Sequence, residues 1–299
     1  MTTSDINLTP TAACFQIESP TSASKVVSGA PYKLHARSWG TPAECNSAVL
    51  LVHGLGAHSG WFEALARRLK VRQIFVVSYD QVGFGKRRLE HFSSKEQWLE
   101  DLQSAFQYLK QTVGDKPIYI VGNSMGALVS LAAAKIVSPD GVVMMSPGFE
   151  GHPETFTLGY RLSTLIKAIL KPEQEFLLPY GLELISDQEG VRAWMANDPD
   201  KRLAVPGRML LELLGLTQSL KFQRLALSCP LLMFTAGKDK MVDNKVNQEF
   251  YKKIEAPKKN QINFAESLHD LPMNPVVDEV AEEIAGWIAV NSPKRATSV

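Results

Sequence analysis

Ser124 stands in Gly122-Asn123-Ser124-Met125-Gly126, a G-x-S-x-G pentapeptide. Apolar residues 118–121 precede it and a run of small residues, 127–136, follows it. That context reads as a sharp strand-to-helix turn that lifts the serine hydroxyl above the edge of a sheet. Flanking side chains would collide in such a turn, so the glycines are required. The helix that starts there adds free backbone N–H groups and a positive partial charge beside the hydroxyl. A glycine-rich turn with a solvated serine would explain the pentapeptide alone. The strand before it and the helix after it favour a nucleophile.

A serine hydroxyl is a weak nucleophile and needs a base that a carboxylate orients. The six histidines are His35, His53, His58, His91, His152 and His269. In a strand–Ser–helix architecture the chain order is serine, acid, histidine. His152 follows Ser124 too closely to leave room for the acid, so His269, in Ser267-Leu-His-Asp-Leu271, is the expected base. The acid should follow the apolar run 231–235. Asp239, behind the turn glycine Gly237, fits that position. Asp243 competes, but it suits a helix N-cap before Val246 better. Asp270 adjoins His269 and is poorly placed to reach the far side of its imidazole.

Acyl transfer also needs donors for a developing oxyanion. His53-Gly54-Leu55-Gly56 follows the continuous apolar run 48–52, and its small residues let the backbone approach a substrate carbonyl. The expected donors are the N–H groups of Leu55 and of Met125, the residue after the nucleophile. These are backbone roles, so the two side chains need only fit. No metal and no organic cofactor is implied.

The elements that must position these groups follow one rhythm of short apolar run, turn and helical pattern. Strands are expected at 13–18, 32–39, 48–52, 74–79, 118–121, 141–145, 231–235 and 261–265. Helical stripes lie between them, such as Trp98, Leu102, Ala105 and Leu109, or Val276, Val280, Ile284 and Trp287. Continuous apolar runs mark strands buried on both faces, hence an α/β protein on a mostly parallel sheet. From about Phe149 to Leu225 the rhythm breaks into helical stretches with no clear strand. The expected organisation is a core in two parts, 1–148 and 226–299, with a helical cap or lid insertion at 149–225.

Composition narrows the function classes. The 299 residues carry 32 basic and 31 acidic side chains, a net charge of +1, which is no footprint for nucleic acid. Cys14, Cys45 and Cys229 form neither a disulfide framework nor zinc-type pairs, and a reducing, cytoplasmic compartment is expected. Met1–Ser24 has no basic n-region and is not expected to act as a secretory signal. No apolar run approaches the ~18 residues of a membrane span, so the expected protein is soluble or lies peripherally on a membrane surface.

With these residues in place, the chain resembles the monoacylglycerol lipase and lysophospholipase group of the α/β-hydrolase superfamily. The likeness is strongest in 53–69, 80–85, 122–134 and 237–242 and at His269, and weak in the insertion. The resemblance implies the α/β-hydrolase fold and a triad at Ser124, Asp239 and His269. The chain departs from the group at Ala57 (usually Glu), at Asn123 (usually His) and at Lys86-Arg87, which replaces a small hydroxyl residue. These departures bear on the substrate and leave the triad positions filled.

Within the insertion, 157–171 reads as an amphipathic helix with Leu158, Leu162, Leu165, Ile166 and Ile169 on one side and Arg161, Lys167 and Lys171 as its only charges. A basic amphipathic helix can lie on an anionic membrane surface. Residues 209–216 form a second, nearly all-apolar stretch. Leu162, Ile166, Leu210 and Leu214 are the candidate substrate contacts, and apolar helices above a serine suit an acyl chain better than a peptide or sugar. The expected function is a serine hydrolase that cleaves a small lipid-like ester, a monoacylglycerol or lysophospholipid, through an acyl-enzyme on Ser124. Two alternatives stay open: an acyltransferase or thioesterase on the same triad, and a hydrolase-fold protein that only binds ligands.

Overall fold

Alternate residues of each central strand serve opposite sides of the sheet. Ala48, Leu50, Val52, Ile120, Val142 and Met144 pack into one apolar core, and Val49, Leu51, Tyr119, Val121, Val143 and Met145 into another. Both faces are therefore covered, as the unbroken apolar runs require. The computed structural model describes residues 8–18 and 32–292. Most of the Met1–Ser24 stretch lies outside the described residues.

The chain runs β1 (Ala13–Glu18), β2 (Lys33–Trp39), β3 (Ser47–Val52), α1 (Glu63–Lys70), β4 (Ile74–Tyr79), α2 (Glu96–Val113), β5 (Ile118–Asn123), α3 (Met125–Val137) and β6 (Gly141–Met145). It continues through α4 (Leu158–Leu170), β7 (Glu175–Leu177), α5 (Glu189–Asn197), β8 (Ala204–Pro206) and α6 (Gly207–Phe222). It closes with β9 (Leu231–Ala236), α7 (Asn244–Lys253), β10 (Lys259–Phe264) and α8 (Val277–Asn291).

Eight strands form one sheet in the order β1-β2-β4-β3-β5-β6-β9-β10. Only β2 opposes its neighbours; from β4 to β10 every pairing is parallel. Helices α2, α3 and α7 bury apolar residues against one face, and α1 and α8 against the other. This is the α/β-hydrolase fold.

Between β6 and β9 the structure holds α4, α5 and α6, and also an antiparallel pair, β7 with β8. The sequence reading found no strand there. At three residues each, these strands are too short to carry a periodic signal. Elsewhere element ends shift by a few residues. Just before α2 the Gln97 side chain accepts from the Ser93 N–H (2.7 Å) and hydroxyl (3.0 Å). Among the described residues no helix is long and apolar enough to cross a membrane.

Candidate active site

The turn from β5 into α3 places Ser124 at φ 53° and ψ −117°. A non-glycine residue there is strained and persists only where its surroundings dictate it. They do so by close packing. A Cβ on Gly126 would overlap the Val52 carbonyl, and one on Gly122 the Gly126 carbonyl. The Ser124 N–H donates to the Met145 carbonyl (2.9 Å), and its own carbonyl accepts from Ala127 (3.0 Å) and Gly148 (3.2 Å).

Asp239 and His269 meet at the same edge of the sheet. Strands β5, β6, β9 and β10 are parallel neighbours, so the loops that follow them leave at their common C-terminal edge. At ~4.8 Å per strand, β9 is about 10 Å and β10 about 14 Å from the elbow strand, a span that loops and long side chains can bridge. His269 Nδ1 donates to Asp239 Oδ2 at 2.7 Å. The other carboxylate oxygen, Oδ1, accepts from the N–H groups of Met241 (2.8 Å) and Val242 (3.0 Å). Both oxygens of the carboxylate that fixes the imidazole are thereby engaged. Asp243 caps α7, accepting from the Lys245 N–H at 2.9 Å.

Both charges are buried, which decides the electrostatics. Burial alone would depress the His269 pKa, but the Asp239 charge, its hydrogen bond and the Asp270 charge outweigh burial and raise it above the ordinary 6.5. Asp270 is pushed the other way for a carboxyl, up to about 6, first by burial and then by Asp239, against the pull of His269. His269 Nε2 is buried and has no hydrogen-bond partner among the described residues, so Ser124 is not bonded to it here. An orphaned ring nitrogen in a protein interior is costly and marks a site awaiting a partner. Such bonds often tighten only when substrate is bound.

The loop after β3 is braced from behind. The Gly54 carbonyl accepts from His53 Nδ1 (2.9 Å) and from the Ala57 N–H (3.3 Å). A trans peptide is planar, so fixing that carbonyl aims the Leu55 N–H the opposite way. His53 Nε2 in turn accepts from the Gln81 N–H at 3.1 Å. The proton therefore sits on Nδ1, and burial keeps this ring neutral by lowering its pKa to about 4. Met125 opens α3, so its N–H belongs to the first turn, which lacks intrahelical acceptors.

A cavity of about 430 Å³ opens beside Ser124, Leu55 and Met125. Its walls are largely apolar and come mainly from α4 and α6, with Leu162, Leu210 and Leu214 among them, beside the polar Glu150, Arg161, Gln218 and Lys221. Ile166 is not among them and corrects the sequence reading. It is 57% exposed and lies one turn beyond Leu162 on the same apolar stripe, with Ile169 and Leu170 also exposed. One stripe supplies both a wall residue and outward-facing ones, so periodicity alone could not tell wall from surface. Tyr180, Phe149 and Gly148 also line the cavity. No motif pointed to them, because they sit in loops between β6 and β9.

The Lys86-Arg87 departure has a structural reason. The Arg87 guanidinium is buried, donating to Asp101 Oδ2 (2.7 Å) and to the Asp80 carbonyl (3.2 Å). Asp101 Oδ2 also accepts from the Val82 N–H (2.8 Å), so this pair pins the loop after β4.

The family model described as serine aminopeptidase, S33 (Hydrolase_4) matches residues 43–275. Human monoglyceride lipase is 22% identical over 272 residues, 89% of each chain. A soluble variant of monoglyceride lipase from Saccharomyces cerevisiae, solved with a substrate analog, superposes with TM-score 0.78 at 18% identity and covers 88% of this chain and 93% of its own. Paleococcus ferrophilus monoacylglycerol lipase gives TM-score 0.75 at 21% identity, over 87% of this chain and 100% of its own.

Proposed function

Because the chain belongs to the Hydrolase_4 family and is a monoglyceride-lipase-like carboxylic ester hydrolase, we propose that it cleaves monoacylglycerols or lysophospholipids through an acyl-enzyme on Ser124. The observation that carries this reading is the Asp239–His269 pair with an unpartnered Nε2, at the sheet edge where the elbow presents Ser124.

The mechanism follows from those groups. In the substrate complex Ser124 Oγ donates a hydrogen bond to Nε2. Oγ attacks the ester carbonyl while Nε2 takes its proton, and Asp239 stabilises the imidazolium. The Leu55 and Met125 N–H groups hold the oxyanion, a role worth ~3–4 kcal/mol per donor. The imidazolium returns its proton to the leaving alcohol oxygen as the tetrahedral intermediate collapses. His269 then deprotonates water, which attacks the acyl-enzyme and frees the fatty acid and the serine. The leucine-lined cavity receives the acyl chain; its volume lies in the range usual for small-molecule sites. We read residues 149–225 as the cap over this cavity.

The test is direct. A fluorophosphonate should label the wild-type protein at Ser124 and leave Ser124→Ala unlabelled, and wild-type protein should release fatty acid from monoolein or lysophosphatidylcholine. A folded wild type that neither labels nor releases fatty acid would refute the reading.

The outer face of α4 supports a membrane-surface role. Leu158, Ile166, Ile169 and Leu170 are all more than half exposed, and Lys167 and Lys171 accompany them. Soluble monomers rarely expose such a cluster, and basic residues beside it suit anionic lipid. Burying one isoleucine in lipid contributes about 2 kcal/mol. Ile166→Glu with Ile169→Glu is therefore expected to cut binding to phosphatidylserine-containing vesicles by more than about tenfold. Co-sedimentation measures it. Turnover of a soluble short-chain ester should be nearly unchanged, since neither side chain lines the cavity. The three free cysteines fit a reducing, cytoplasmic setting for this role.

A further inference from the structure

The insertion does more than roof the cavity: its segment 198–202 is bolted to the back of the loop that carries the Leu55 N–H. The Arg202 N–H donates to the Gly56 carbonyl at 2.9 Å. Gly56 has φ +83°, and a Cβ there would sit 2.7 Å from the Arg202 carbonyl, so the two backbones are in close contact. One residue earlier, the Leu55 carbonyl accepts from the Tyr180 hydroxyl at 3.5 Å. Two successive carbonyls after the proposed oxyanion donor are thus held by the insertion.

Side chains fasten the same segment. Arg202 Nη1 donates to the carbonyls of Gly83 (2.8 Å) and Arg88 (2.9 Å) in the loop after β4, and Nη2 donates to Glu175 Oε1 (2.6 Å). Asp198 Oδ2 accepts from His58 Nε2 (2.7 Å) and Trp61 Nε1 (2.7 Å), just downstream of the oxyanion loop. His58 Nδ1 accepts from the Gly60 N–H (3.0 Å), so the ring proton is on Nε2 and donates to Asp198. Asp200 bridges Lys86 (2.7 Å) and Arg88 (3.1 Å). Lys86 is half of the departure noted above; its ammonium meets the insertion.

We infer that Arg202 and Asp198 are positioning residues for the oxyanion hole: they hold segment 198–202 so that the Leu55 N–H stays aimed at the reacting carbonyl. The inference rests on the acyl-enzyme reading of Ser124. It implies that this edge of the insertion stays fixed during turnover and that any opening for substrate occurs elsewhere. It also separates two effects of the insertion, since α4 and α6 shape the cavity while 198–202 sets the rate.

A loosened oxyanion donor weakens transition-state binding and spares ground-state binding. Misplacing a group by about 1 Å costs up to about 100-fold. Arg202→Met in the full chain is therefore expected to lower kcat for a p-nitrophenyl ester by about 30- to 100-fold, with KM within about threefold of wild type. Affinity for an alkylboronic acid, whose tetrahedral serine adduct uses the oxyanion hole, should fall by a similar factor, while affinity for the fatty acid product stays put. Arg202→Lys keeps the charge but cannot serve so many acceptors, and should lose about tenfold in kcat. Asp198→Asn keeps an acceptor oxygen for His58 and Trp61 and should lose only a few-fold. These two milder variants carry the test if Arg202→Met does not fold, as judged by thermal melting. Unchanged kcat and boronate affinity in folded variants would overturn the inference, and so would a loss confined to KM. A wild type that turns over no ester would instead overturn the Ser124 reading, and this inference with it.

Discussion

Replacing Ser124 or His269 by alanine is expected to lower kcat by about 10⁶-fold for each single variant, and the double variant should lose no more than either. The reason is that the two groups act on one proton. Without the imidazole, the hydroxyl at the elbow stays a poor nucleophile; without the hydroxyl, the base has nothing to activate. The strained φ of Ser124 and the packing at Gly122 and Gly126 belong to the backbone, so the alanine variant keeps the elbow. Oxyanion donors and cavity also survive, and they should sustain a residual rate about 10³- to 10⁴-fold above water. Single-turnover kinetics on a chromogenic ester, with thermal melts as a folding control, measures both points. Losses that multiply in the double variant would mean that the two side chains work independently, which the mechanism forbids.

The same histidine links activity and stability to pH with opposite signs. Its folded-state pKa is raised, so the protonated ring stabilises the fold fully below the ordinary 6.5, and that contribution is lost as pH rises through the raised value. In the proposed mechanism catalysis needs the neutral ring. The activity therefore grows over the window in which this stabilising term fades, and the acid limb of kcat/KM should lie above 6.5.

How much of this was legible depends on whether local sterics or tertiary packing decides. The elbow is legible because only glycine fits at 122 and 126, and the strands because burial on two faces leaves an unbroken apolar run. The Asp239–His269 pairing follows from chain order, since a parallel sheet returns every βα loop to one edge. The insertion is different. Ile166 was misplaced because the one apolar stripe of α4 carries both a wall residue, Leu162, and outward-facing residues, so periodicity could not separate them. Tyr180 lies in a loop with no period, and β7 and β8 are too short to show one. Asp198 and Arg202 look like ordinary surface charges in a Pro-containing turn; their role emerges only where the chain folds back on Gly56.

Asp239→Asn should be nearly as damaging, lowering kcat by about 10⁴-fold at neutral pH while leaving KM little changed. The direction follows from the hydrogen bonds around the carboxylate. Oδ1 is held by two backbone donors, Met241 and Val242, which cannot turn into acceptors. The replacing amide must offer its oxygen to them, which puts its NH₂ where Oδ2 now faces His269. Nδ1 must then accept, so the ring proton moves to Nε2, and the nitrogen that should take the serine proton already carries one. Loss of the carboxylate also removes the main attraction that raises the His269 pKa, so the acid limb of the residual activity should move to lower pH. Rate–pH profiles of the two proteins test both parts. A variant with near wild-type kcat, or with an acid limb that stays in place, would mean that Asp239 does not set the tautomer of His269.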